Sequence, residues 1–329
     1  MDHLNVPPSL DPSSTSGPPY PPPVALKSLR LFAGPDGIRA GWRLLIFFVI
    51  LSGLASVKGI FARFVLHRPA RGLTLTPQSM ISGEAGAFAL VFVASWLMAK
   101  VENRSLADYG LPWARAFGLR FWQGLSVGFA AITTLLVGIS ALGAMHFGPI
   151  VLHGTALWKY AVLWALAFLA VAFFEEFFFR GYMLFTLTTA IGFWPSAILC
   201  SIVFGYVHHS NPHENWMGAI TAGLVGLVFC LLLRRTGNLW MPIGFHAAWD
   251  WGETYFYGVP DSGQLLPGHL FSANFTGPTW ITGGSVGPEG SWLCILLLVC
   301  LWFIFAAWLR EARYPMNPGH VHTHEVENA

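Results

Sequence analysis

The chain is constrained most by a series of long apolar windows that carry no charge. Phe121 to Met145, Asn215 to Leu233 and Ser291 to Leu309 contain no Asp, Glu, Lys or Arg. A hydrocarbon core about 30 Å thick is crossed by roughly 20 apolar residues in a helix, and it offers backbone groups no water to bond. Windows of that length and purity therefore read as membrane spans. Leu44 to Ala62 is broken only by Lys58, and Ala85 to Ala99 makes a shorter span that Glu84 precedes. Three windows are less regular: Ala161 to about Thr188, Phe193 to His209, and Leu239 to about Tyr257. The expected fold is an all-α, polytopic transmembrane helix bundle of about eight spans. Composition agrees, since 54% of the 329 residues are hydrophobic and only 10% are charged, against roughly 25% charged in a soluble domain.

A net charge of +2 points to no nucleic acid or other polyanionic partner, so the basic residues inform through their placement. With the N-terminus inside, 13 of the 18 Lys and Arg side chains fall on cytosolic segments, Lys27, Arg30, Arg43, Lys100, Arg104, Arg180, Arg234 and Arg235 among them. Arg63, Arg68, Arg71 and Lys159 fall outside, and Lys58 lies in the first span. Both termini are thus expected in the cytosol, with the chain multi-pass in the plasma membrane. Residues 1–40 open on a Pro/Ser-rich stretch with no basic segment leading into an apolar one, which reads as a disordered cytosolic tail rather than a cleaved signal. Residues 41–310 form the membrane domain and 311–329 a polar cytosolic tail. Cys200, Cys230, Cys294 and Cys300 fall within spans without CxxC spacing, as expected of packing residues. The outer loop 258–290, rich in Gly, Pro and Ser, reads as a connector or a lid, the connector being the simpler reading.

Against this apolar background the stretch "FFEEFFFRGY", residues 173–182, stands out. An ionisable side chain at mid-bilayer costs on the order of 2.5–3.5 kcal/mol. Three of the less regular windows carry such groups together: Glu175, Glu176 and Arg180; His208 and His209; and His246, Asp250 and Glu253. Glu176 and Arg180 are i, i+4 and share a helix face, whereas Glu175 points about 100° away and is left free. His246 and Asp250 are also i, i+4. At about 1.5 Å rise per residue, Glu175 and His208 lie roughly 20 Å above the cytosolic helix ends, with His246 and Asp250 at roughly 12 and 18 Å. The four groups can meet, in an active site within the membrane. Isolated polar residues in spans also serve as interhelical glue, but a set gathered at matching depth calls for a site.

Carboxylates and neutral imidazoles can activate water in two ways. They bind a divalent metal such as zinc, or a glutamate takes the proton directly while other groups hold the oxyanion. Both predict hydrolysis, and no HExxH or Cys/His arrangement competes. A proton- or cation-coupled transporter would use the same residues as a relay, but the paired broken helices and inverted repeats common in transporters are not visible. A catalytically silent membrane scaffold is a third reading.

"EEFFFR" resembles the EExxxR motif of the CAAX prenyl endopeptidase and bacteriocin-processing (CPBP, Abi) family of intramembrane proteases. "FGYVH" is similar to its FxxxH motif and "HAAWD" to its Hxxx(N/D) motif, in that order, within roughly residues 80–255. The resemblance implies that Glu175 activates water with the help of His208. It gives Glu176 and Arg180 a supporting role, and it has His246 and Asp250 stabilise the tetrahedral intermediate or ligate a metal. The implied metal set is Glu175, His208, His246 and Asp250, with zinc as the expected ion. Asp250 stands where many relatives have Asn, and an ionised Asp cannot donate to an oxyanion, which tilts the reading toward metal. His209 is the register alternative to His208, and would otherwise pair with His213 at i+4. The implied substrate is a peptide bond in a membrane-associated or prenylated (CAAX-type) protein or peptide; oligomeric state is left open.

Overall fold

The structure is a computed structural model that describes residues 32–34, 37–64 and 75–315. The expected tails, apart from 32–34, 37–40 and 311–315, and the basic residues Lys27, Arg30, Arg68 and Arg71 lie outside the described residues.

Each of the expected windows is helical. The helices are α1 (Ala40–Phe64), α2 (Pro77–Val101), α3 (Leu119–Ala141), α4 (Gly154–Phe177), α5 (Leu184–Ile191), α6 (Phe193–His208), α7 (Trp216–Thr236), α8 (Trp240–Trp251), the short α9 (Thr279–Thr282) and α10 (Trp292–Trp308). A π turn at Phe178–Met183 joins α4 to α5, and a second at Gly252–Tyr257 prolongs α8. Two antiparallel pairs of two-residue strands accompany them: β1 (Ala33–Gly34) with β2 (Gly37–Ile38), and β3 (Met145–His146) with β4 (Asn274–Phe275). Five segments are long and apolar enough to cross a membrane, namely α1, α2, α3, the continuous Gly154–Ile191 run and α7, while α6 and α10 are shorter apolar helices. The chain is an all-α membrane helix bundle.

Local chemistry explains the helix ends. Thr76 caps α2 through a capping box with Ser79, and Pro77 occupies the first turn, where its missing N–H costs nothing. Asn215 accepts from the N–H groups of Met217 and Gly218 at the start of α7. Gly237, at φ 79°, closes α7 in the left-handed region. The α2 span begins earlier than the sequence suggests. Its helix encloses Glu84, because the cap and not the first charge sets the boundary.

Glycines bring the helices together. A Cβ on Gly124 would lie 2.1 Å from Met241 O, one on Gly128 2.2 Å from Phe245 O, and one on Gly244 2.2 Å from Phe121 O. Helices α3 and α8 therefore touch backbone to backbone, the small-residue packing that membranes favour where no hydrophobic drive is available. Helix α2 packs on α4 through Phe88, whose ring centroid is 5.2 Å from that of Phe173 and 5.9 Å from that of Phe177.

At the end of the bundle where α2 finishes, one polar node ties four elements. Arg43 Nε on α1 donates to Glu102 Oε1 at 2.9 Å, with a second contact from its Nη2. Arg43 Nη1 reaches Thr189 Oγ1 on α5 at 3.2 Å. The Tyr182 hydroxyl, on the π turn, donates to the same Glu102 carboxylate. Two expectations need correcting. Arg180 does not sit in a cytosolic segment but is fully buried, because Glu176 pairs its charge inside the bundle. Cys300 is exposed on α10 rather than packed, whereas Cys200, Cys230 and Cys294 are buried.

Candidate active site

The chain leaves ideal helix just after Glu175 and Glu176. In the π turn Gly181 takes φ −84° and ψ −116°, outside the helical region, and a side chain there would run into Phe177, with Cβ 2.8 Å from its Cδ2. Arg180 still reaches back one turn, donating from Nη1 to Glu176 Oε1 at 3.0 Å, with both side chains fully buried. Its guanidinium also lies 4.2 Å from the Phe204 ring centroid, a desolvated cation–π contact.

Glu176 then supports the imidazole of α8, with His246 Nδ1 3.0 Å from the same Oε1. His208, the last residue of α6, places Nδ1 2.9 Å from Phe204 O. A carbonyl only accepts, so His208 Nδ1 carries the proton and its Nε2 offers a lone pair. Both Nε2 atoms face Glu175. Its Oε2 is 3.9 Å from His208 Nε2 and 3.8 Å from His246 Nε2, and it is buried with no hydrogen-bond partner among the described residues. Asp250 Oδ2 lies 3.4 Å from His246 Nε2, as the i, i+4 spacing requires.

The structure thus brings Glu175, Glu176, Arg180, His208, His246 and Asp250 together from three separate helical segments. It does not bring His209 there. That ring stacks on Trp216 with centroids 4.0 Å apart and planes at 20°. Its expected i+4 relation to His213 also fails, because α6 stops at His208.

A cavity of about 240 Å³ opens on these groups. Glu175, His208, His246 and Asp250 line it, together with apolar side chains that include Met80, Phe168, Val171, Phe204, Val225 and Leu298. Two further contributions escaped the sequence reading. Glu84 of α2 lines the cavity, as do Asp261 and Glu289 from the loop 258–290. Glu84 is legible only once the α2 cap at Thr76 is recognised. The loop carboxylates carry no periodicity that would announce them.

The electrostatics of His246 are the unusual part. Its Nε2 faces carboxylate oxygens of Glu175 and Asp250, and its Nδ1 faces Glu176. Three carboxylates around one imidazole, with Arg180 pairing only Glu176, require a shared proton or a cation among them. The donor set, two imidazole nitrogens and carboxylate oxygens, has the chemistry of a zinc site. Among the described residues, one acidic group, Glu253, Asp261 and Glu289, has ligand atoms close enough to hold a metal, all within 4.8 Å of one another.

Residues 156–252 match the family model described as type II CAAX prenyl endopeptidase Rce1-like. The match runs from the first turn of α4 to the first residue beyond α8 and contains all six residues. No curated protein matches the chain. The EExxxR, FxxxH and Hxxx(N/D) motifs, the cavity they share and this match agree, and the chain is a multi-pass membrane protein whose residues 156–252 are similar to the Rce1-like type II CAAX prenyl endopeptidase family.

Proposed function

We propose that the chain is an intramembrane endopeptidase in which Glu175 is the general base. Support comes from Glu175 Oε2, buried without a hydrogen bond among the described residues and set 3.9 and 3.8 Å from two imidazole Nε2 atoms. A water placed there gives up one proton to Glu175 while its remaining O–H donates a hydrogen bond to His208 Nε2. The hydroxide so formed attacks the scissile carbonyl carbon, and its C=O π electrons move onto oxygen. The proton on Glu175 passes to the amide nitrogen as the C–N bond breaks, which regenerates the carboxylate. His246, and Asp250 when protonated, stabilise the oxyanion, with Glu176 and Arg180 holding the imidazole in place.

A second reading adds a metal, favoured by the crowding of carboxylates around His246. Glu175, His208, His246 and Asp250 would hold a divalent ion such as zinc, which when bound supplies Lewis acidity and makes water acidic near neutral pH. The apolar lining of the cavity supports a prenylated or otherwise lipid-borne substrate. Basic residues at the node end, Arg43, Arg104, Arg234 and Arg235 among them, support a cytosolic placement of that end and of both termini in the plasma membrane.

The test is cleavage of a prenylated CAAX peptide by purified protein in detergent, beside the unprenylated peptide. Glu175→Gln is expected to abolish product while the melting temperature stays at the wild-type value. Undiminished turnover in that variant would sink the assignment.

A further inference from the structure

The loop that follows α8 returns onto the end of that helix and brings three carboxylates together. The turn at Gly258 closes with Val259 N–H donating to Glu253 O at 3.0 Å. The two ends of the loop then meet. A Cβ on Gly287 would lie 2.2 Å from Pro260 O, and Gly263 N–H donates to Val286 O at 2.9 Å. Asp261 and Glu289, far apart in sequence, are thereby fixed beside Glu253, with ligand oxygens of all three within 4.8 Å of one another.

Local donors hold two of the carboxylates. Thr254 Oγ1 donates to Asp261 Oδ2 at 3.0 Å, Trp249 Nε1 to Glu289 Oε1 at 3.2 Å, and Ser262 N and Oγ to Glu289 Oε2 at 3.0 and 2.9 Å. Glu253 is different. It is fully buried, and among the described residues neither of its oxygens has a hydrogen-bond partner. Among the described residues no Lys, Arg or His forms an ion pair with any of the three. An unpartnered buried carboxylate aimed at two others needs positive charge to be stable.

We propose that Glu253, Asp261 and Glu289 form a calcium site that fastens the outer loop to the end of α8. The donors are all oxygens, which excludes the soft-ligand preference of zinc and copper sites. Three protein carboxylates, one fully buried and two half-buried, suit calcium better than magnesium, which retains several waters and takes one or two carboxylates. The site is distinct from the Glu175, His208 and His246 centre, but Asp261 and Glu289 also line the cavity, so the bound ion fixes the loop-side wall.

The experiment uses the full chain, purified in detergent and stripped with chelator, with calcium chloride as the probe. Equilibrium dialysis with radioactive calcium is expected to give saturable uptake of roughly one ion per chain, and the melting temperature to rise along the same curve. Glu253→Gln and Asp261→Asn each remove one ligand charge and are expected to weaken binding by on the order of tenfold or more, while Glu175→Gln binds as wild type does. Using two variants protects the test against one that fails to fold. The proposal is overturned if folded wild-type protein takes up no calcium saturably, if a folded ligand variant binds undiminished, or if Glu175→Gln abolishes uptake.

Discussion

Removing the Arg180 guanidinium asks how the two helices of the site are held together. In Arg180→Met, Glu176 keeps its charge in a fully buried position with His246 Nδ1 as its remaining donor. Stripping one partner from a buried pair typically costs about 3–5 kcal/mol. The Phe204 contact belongs to the same guanidinium, so its worth of about 2 kcal/mol is not added as an independent term. At about 2 °C per kcal/mol for a long chain, the melting temperature should fall by roughly 6–10 °C, read by scanning fluorimetry in detergent. Adding Glu176→Gln removes the orphaned charge, and neutral replacements of buried ion pairs are often tolerated. The double variant should therefore regain more than half of the loss. An unchanged melting temperature in Arg180→Met, or a double variant as unstable as the two single losses summed, would refute the structural pair; lost activity at unchanged stability would place Arg180 in the chemistry.

Asp250→Asn separates the two ways of activating water: an active variant without bound metal eliminates the metal reading, and joint loss of activity and metal eliminates the unaided glutamate. Gly128→Ala places a methyl 2.2 Å from Phe245 O, which forces α3 and α8 apart by about 1 Å next to His246 and should slow cleavage on the order of 100-fold; a wild-type rate would show that the seam yields without moving the imidazole. Glu214, on the loop after α6, is pushed from 4.5 up to about 7, chiefly by burial, against the opposing Asn215 N–H and with help from the Glu289 charge. The folded state holds that proton more tightly, so its stabilisation is complete below pH 4.5 and is lost as pH rises through about 7. In chelator, Glu214→Gln should flatten the melting profile across that window, and a profile identical to wild type would remove Glu214 from it.

The helices were legible because a bilayer asks for long apolar segments, so apolar windows located most of them to within a few residues, although α2 and α4 begin earlier than expected and five of the roughly eight expected spans are long and apolar enough to cross. The pairings Glu176–Arg180 and His246–Asp250 follow from i, i+4 spacing, and Arg180 keeps its reach to Glu176 although it lies inside the π turn. Glu84 was misplaced outside α2 because counting apolar residues stops at a charge, whereas the helix begins at the Thr76 cap. The sequence "GLSVG", residues 124–128, carries the small-residue spacing that joins α3 to α8, and its meaning appears only once Gly244 is seen opposite. Asp261 and Glu289 were illegible for a different reason: a loop has no period, and the backbone contact between Pro260 and Gly287 decides what it brings together.

The polar node at Glu102 also bears on the order in which the protein is made. Arg43 precedes Glu102 by 59 residues, and Tyr182 follows it by 80. Chains are built from the N-terminus, and early segments settle before later ones emerge. Arg43 is therefore on hand to neutralise Glu102 as soon as α2 is inserted, before either site glutamate has left the ribosome. The waiting carboxylate then receives the Tyr182 hydroxyl when α4 and α5 arrive, so Glu175 and Glu176 enter a bilayer in which the docking point for their helix already exists. Helix α8, bearing His246 and Asp250, arrives later still, against an α3 wall where Gly124 and Gly128 have left its groove open.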